Sequence, residues 1–168
     1  MPVIRLLAAA GVAVAFVACG GGSSKDKQTR VTTTNTAGPG TKNEGTAISL
    51  KARLAGADEV PGPGVKDGTG AALVNVAGTQ ACYDLKATMG EKPTGAHIHR
   101  GPPGQAGPVV VDFRPTFTPG ETAFEAKSCV DLPAEVAQQL IANPGAFYVN
   151  VHSDAHPDGA MRGQLAPF

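Results

Sequence analysis

Gly95-Ala96-His97-Ile98-His99-Arg100-Gly101-Pro102-Pro103-Gly104 reads as a short strand running into a stiff turn, and Tyr148-Val149-Asn150-Val151-His152-Ser153-Asp154-Ala155-His156-Pro157 reads as a second one about fifty residues later. All four histidines of the chain fall in these two segments. Alternate side chains of a strand share a face. His97 and His99 therefore point one way, with Cα atoms about 6.6 Å apart, and Ile98 points the other. The same alternation puts Tyr148, Asn150 and His152 on one face and Val149 and Val151 on the opposite one. Two polar strand faces are expected to meet.

The chain on either side is strand-like too. Thr46 to Leu54 alternates Ile48, Leu50, Ala52 and Leu54 against Ser49, Lys51 and Arg53, the pattern of a strand with one buried face. Ala55 to Gly70 carries so many glycines and prolines that it reads as a loop, and its Asp58-Glu59 pair reads as exposed loop acids or a carboxylate site. Ala71 to Val76 and Ala81 to Ala87 read as two strands joined by a hairpin turn at Ala77 to Gln80. Val109 to Phe113 is apolar enough to be interior. Phe117, Phe124 and Ala126 are expected in a strand pair around a Pro119-Gly120 turn, ending at Cys129. One helix follows: Asp131 offers a cap, Pro133 suits a first turn, Val136 and Leu140 form an apolar i, i+4 pair, and Asn143-Pro144-Gly145 ends it. Ala160 to Leu165 closes the chain as a strand. Short strands, Gly/Pro turns and one short helix predict an all-β fold, an antiparallel β-sandwich with Greek-key connections.

The N-terminal residues read as a targeting segment. Leu6 to Ala18 is an unbroken apolar or small run after a single basic residue, Arg5, too short to span a bilayer and suited to the core of a secretory signal. Small residues then meet a cysteine at Ala18-Cys19-Gly20, which resembles the lipobox of bacterial lipoproteins. Residues 1–18 are thus expected to be a lipoprotein signal peptide, with Cys19 lipidated and anchoring the chain to the extracytoplasmic face of the bacterial cell membrane. Residues 19–45 are rich in Gly, Ser, Thr, Lys and Asn and read as a flexible tether. Residues 46–168 have the length of one domain. Removing residues 1–18 leaves 13 basic against 14 acidic residues, a net charge of −1. With no basic run, nucleic acid is not an expected partner.

With Cys19 assigned to lipid, Cys82 and Cys129 remain as an even pair in a compartment where disulfides persist. A bridge between them is expected to contribute about 3 to 4 kcal/mol.

Four motifs in order, Gly95 to Gly101, Gly107-Pro108-Val109-Val110, Tyr148 to Ser153 and Gly159-Ala160-Met161-Arg162-Gly163-Gln164-Leu165, closely resemble the CHRD domain, the module first described in chordin and common in bacterial exported proteins. Ala55 to Pro61 is similar to the family's opening pattern, and Ala160 stands where the family often has glutamate. The resemblance spans nearly all of Ala47 to Leu165 and implies an immunoglobulin-like β-sandwich. It speaks for fold more than for chemistry.

Two functions are compatible with these residues. One is a non-catalytic binding or adhesion module, anchored in the envelope and recognising an unidentified envelope or extracellular ligand. The other is an envelope metalloprotein holding copper or zinc on His97, His99 and His152, with His156 or Asp154 as a fourth ligand. His97-Ile98-His99 on a strand is loosely similar to the copper strand of copper-zinc superoxide dismutases, although no histidine- and aspartate-rich zinc loop accompanies it. The histidines and Asn150 are equally readable as a hydrogen-bonded hub with carboxylates such as Asp112 or Asp154. Arg100 and Arg162 flank the histidine face, where solvated surface is the ordinary fate of an arginine. No catalytic residue is expected: neighbours His152 and Ser153 face apart, and no Gly-x-Ser-x-Gly elbow exists.

Overall fold

The computed structural model describes residues 46–168. The expected signal peptide, Cys19 and the tether lie outside the described residues. The domain is all-β and antiparallel, with one short helix. Its strands are β1 (Ala47–Ala55), β2 (Thr69–Ala77), β3 (Gln80–Thr88), β4 (Pro93–Arg100), β5 (Val109–Asp112) and β6 (Ala123–Asp131), followed after helix α1 (Ala134–Ala142) by β7 (Phe147–Ser153), β8 (Met161–Gln164) and β9 (Ala166–Pro167).

The alternation in the sequence sets the faces. Along β1, Leu50, Ala52 and Leu54 are buried while Lys51 and Arg53 are exposed. β2 and β3 pair from Ala77↔Gln80 outward, and the two-residue turn between them places Gly78 at φ +57°, a left-handed conformation that glycine adopts without strain. β1-β2-β3-β6 form one run of neighbours, and β5-β4-β7-β8 form the other. The chain crosses from the first run to the second after β3, returns for β6, and crosses again through α1.

Hydrogen bonds join both runs into one nine-stranded sheet among the described residues, in the order β5-β4-β7-β8-β1-β2-β3-β6 with β9 on β1. The join is narrow, with Ala55 opposite Arg162 as the one β1–β8 pair. The sheet curls until its ends nearly meet. Phe113, directly after β5, stacks on Tyr83 of β3 with ring centroids 4.4 Å apart, and the Tyr83 hydroxyl donates to the Phe113 carbonyl at 3.0 Å. One apolar core fills the interior, drawing Leu50, Val74 and Leu85 from one run and Ile98, Val149 and Met161 from the other. Each such side chain is worth about 1.5 to 3 kcal/mol on burial.

Three local expectations are corrected. The strand from Val109 is not interior: β5 ends the sheet order, and Val109 is 49% exposed while Val111 and Phe113 are buried. No strand forms around Phe117: residues 113–122 are turn and coil, Pro115 and Pro119 donating no backbone hydrogen bonds, and Phe117 packs edge-on against Phe124 at 4.8 Å. Asp131 does not cap α1. It ends β6 opposite Gln80, and Pro133 precedes the first helical turn, with Val136, Ala137 and Leu140 buried beneath it. Cys82 and Cys129 lie directly opposite each other on β3 and β6 and form the disulfide.

Candidate metal site on the polar face of β4 and β7

β4 and β7 are both interior strands and pair antiparallel. Their core-facing side chains are Ala96, Ile98, Val149 and Val151. Every residue between these faces the other way, and the register stacks them in rows. Gly95 sits opposite His152, His97 opposite Asn150, and His99 opposite Tyr148. On the far side of β7, Asn150 meets Arg162 and Tyr148 meets Gln164 of β8. The three histidines cluster, with ring centroids 4.8 Å apart for His97 and His152 and 5.8 Å for each of the other pairs. A Cβ at Gly95 would lie 3.4 Å from the His97 ring, an ordinary van der Waals contact.

A polar strand face ordinarily meets water. Here three loops cover it. In the first, the Gly107 carbonyl accepts from His99 Nδ1 at 2.9 Å, and the carbonyls of Gln105 and Pro102 accept from the Arg162 guanidinium at 3.0 and 3.4 Å. In the second, the Pro157 carbonyl accepts from His152 Nδ1 at 3.0 Å. The third brings Glu59 against Asn150, whose amide donates to its carboxyl at 3.4 Å.

These contacts fix the chemistry of the rings. A carbonyl only accepts, so His99 and His152 carry their protons on Nδ1 and keep a lone pair on Nε2. His97 turns Nε2 toward Asp112, 3.7 Å away. The nitrogens left over, His97 Nδ1, His99 Nε2 and His152 Nε2, are buried and have no hydrogen-bond partner among the described residues. Burial is the largest cause lowering the pKa of all three rings from the usual histidine value, reinforced at His97 and His99 by the neighbouring His152. Three neutral imidazoles thus share a site, each with a ligating atom within 4.8 Å of the others. A tetrahedral ion about 2.1 Å from each nitrogen needs them roughly 3.4 Å apart, so binding draws the rings inward by about 1 Å.

His156 is placed outside this trio. Its Nδ1 donates to Glu91 at 2.9 Å, and its backbone N–H donates to Ser153 Oγ, which itself donates to the same carboxylate. Asp154 is exposed on the rim of an open cleft of about 670 Å³ that reaches His97 and His152. Arg100 is exposed and donates to Gln139. Arg162 departs from its expected solvated place: it is 2% exposed, with its guanidinium carbon 3.5 Å from the centre of the Tyr148 ring. Tyr148 stacks in turn on His99 at 4.9 Å and 15°, and its hydroxyl accepts from Gly107 N–H. Glu59 is likewise buried, at 7% exposed, while Asp58 is exposed. The sequence offered no periodic signal for either burial: Glu59 lies in an irregular loop and Arg162 on a four-residue strand.

The described residues form a disulfide-bridged β-domain that buries three lone-pair nitrogens on its polar face. The chain belongs to the CHRD domain family, whose model matches residues 50–165. No curated protein and no solved structure matches it.

Proposed function

We propose that this chain is an envelope lipoprotein whose CHRD domain acts as a binding module for one copper or zinc ion, held by His97, His99 and His152. The observation that carries the proposal is the set of three buried imidazole nitrogens that have no partner among the described residues. Leaving such a group unsatisfied costs about 1 to 3 kcal/mol, so three in one place call for a shared acceptor of lone pairs. Outer contacts hold each ring, as orienting partners do around ligating histidines. A hydrogen-bonded hub accounts for the Nδ1 atoms of His99 and His152 and leaves the Nε2 atoms unexplained. Imidazole suits copper and zinc, and copper leads the divalent affinity order.

The role proposed is binding without catalysis. Ser153, the hydroxyl beside His152, is engaged with Glu91 and not with a ring. The disulfide supports an oxidising compartment, and the Met1 to Cys19 pattern supports a lipid anchor there. The same reading takes the two four-stranded runs as the faces of an immunoglobulin-like Greek-key sandwich, supported by their one-pair join at Ala55 and Arg162.

Titration of the purified protein with copper and zinc, followed by metal analysis, tests the proposal. One ion per chain is expected, lost in His99→Ala. At a concentration a thousand times its dissociation constant the ion adds about 4 kcal/mol of stability. No stoichiometric ion and an unchanged melting temperature would remove the proposal.

A further inference from the structure

Arg162 is a buried cation on this face and, among the described residues, belongs to no hydrogen-bonded ion pair. Its N–H groups are held by two neutral carbonyls, and its guanidinium carbon sits 3.5 Å from the centre of the Tyr148 ring, which stacks on His99. These separations place a permanent positive charge within about 8 Å of a ring of the trio. Tyr148 is clamped in the stack. Its hydroxyl accepts from Gly107 N–H while the Gly107 carbonyl accepts from His99, a closed circuit that leaves neither ring free to turn away.

On the reading of His97, His99 and His152 as a metal site, we propose that Arg162 is a specificity-determining residue that biases the site toward monovalent copper(I) and against copper(II) and zinc(II). The ligand set makes this follow. Three neutral imidazoles contribute no charge, so an ion's own charge is not cancelled at the site. A nearby cation then opposes a divalent ion twice as strongly as a monovalent one. Arginine keeps its charge at every relevant pH, and burial keeps water from screening it.

Three acids oppose it, and none cancels it. Asp158 acts on His152 by its charge but is exposed to solvent. Asp112 lies 3.7 Å from His97, but it is 47% exposed and is engaged by Arg114 at 3.4 Å. Glu59 lines the same 400 Å³ pocket as Arg162, and burial pushes its carboxyl up to about 7, so it is only partly ionised at neutral pH. At roughly 10 Å and an effective dielectric constant near 20, one unit of ion charge is worth about tenfold in relative affinity.

The experiment compares the wild type with Arg162→Gln and Arg162→Lys, measuring copper(I) and zinc(II) dissociation constants by chelator competition and the reduction potential of the copper-loaded protein. In Arg162→Gln the zinc constant is expected to fall about tenfold relative to that for copper(I). Tenfold in a one-electron couple is about 59 mV, so the copper potential should drop by about that much. Arg162→Lys, which keeps the charge, should restore most of both. A folded Arg162→Gln with an unchanged ratio and potential overturns the inference. Glu59→Gln at roughly pH 8 keeps the test open if Arg162→Gln does not fold. It deletes the acid beside Arg162 and should move the ratio the other way, toward copper(I); no movement overturns the inference as well. Wild-type protein that binds neither ion would overturn the metal reading itself, a failure visible without any variant.

Discussion

Replacing Glu59 with glutamine should reshape the pH dependence of folding. Burial is the main cause that raises the Glu59 carboxyl from its ordinary 4.5 to about 7, outweighing the Val60 N–H, the Arg162 charge and the Asn150 amide, all of which pull it down. One carboxyl oxygen, Oε2, is buried without a partner, which is why ionisation is costly there. A folded state that holds the proton more tightly than the unfolded chain gains stability on the acid side. The Glu59 contribution is therefore fully present below pH 4.5 and lost as pH rises through about 7. The shift is worth about 3 kcal/mol between those limits. The three histidines act in the opposite sense: their lowered pKa values make stability fall as pH drops below the usual histidine range. They are present in both proteins and cancel in the comparison. Urea unfolding of the wild type and Glu59→Gln, with the disulfide intact, from roughly pH 4.5 to 8 should show wild-type stability falling by about 3 kcal/mol relative to the variant. A difference constant to within about 1 kcal/mol across that range would refute the burial argument.

Gly159→Ala should destabilise the domain by about 2 to 3 kcal/mol in the same assay, because its Cβ would fall 2.3 Å from Glu59 Oε2 and 2.8 Å from the Asn150 amide, at a φ of +152°. A near-neutral effect would mean that the loop bearing Gly159 is not held against Glu59. Reducing the Cys82–Cys129 bridge, or replacing both cysteines with alanine, should cost about 3 to 4 kcal/mol for a closure of 47 residues, read as a lower melting temperature. Zinc affinity should be lost with acid only below the pH at which exposed histidines titrate, since burial lowers the pKa of all three ligating rings. A steep loss already above pH 7 would show rings that titrate like exposed histidine.

Much of this fold is legible in alternation. Leu50, Ala52 and Leu54 against Lys51 and Arg53, or Ile98 between His97 and His99, are enough to assign faces. The same reading places three histidines on polar faces, but it does not say that β4 and β7 are neighbours, since strand pairing between distant segments leaves no periodic mark. It fails at Phe117, where an apolar residue among prolines packs on Phe124 without joining a ladder. It fails again at Glu59 and Arg162. Both follow the pattern of solvated charge, and both are buried because irregular loops, whose course no periodicity encodes, close over the polar face. The disulfide is legible by elimination. The pairing of its cysteines directly across β3 and β6 is what the structure adds.

Anomalous diffraction from a crystal of the zinc- or copper-loaded protein, recorded at the absorption edge of the metal, tests the central claim most directly. The account predicts one peak per chain, bonded to His97 Nδ1, His99 Nε2 and His152 Nε2 at about 2.1 Å, with the contacts to Gly107 and Pro157 intact. A peak elsewhere, or three rings that stay apart with no ion between them, would contradict it.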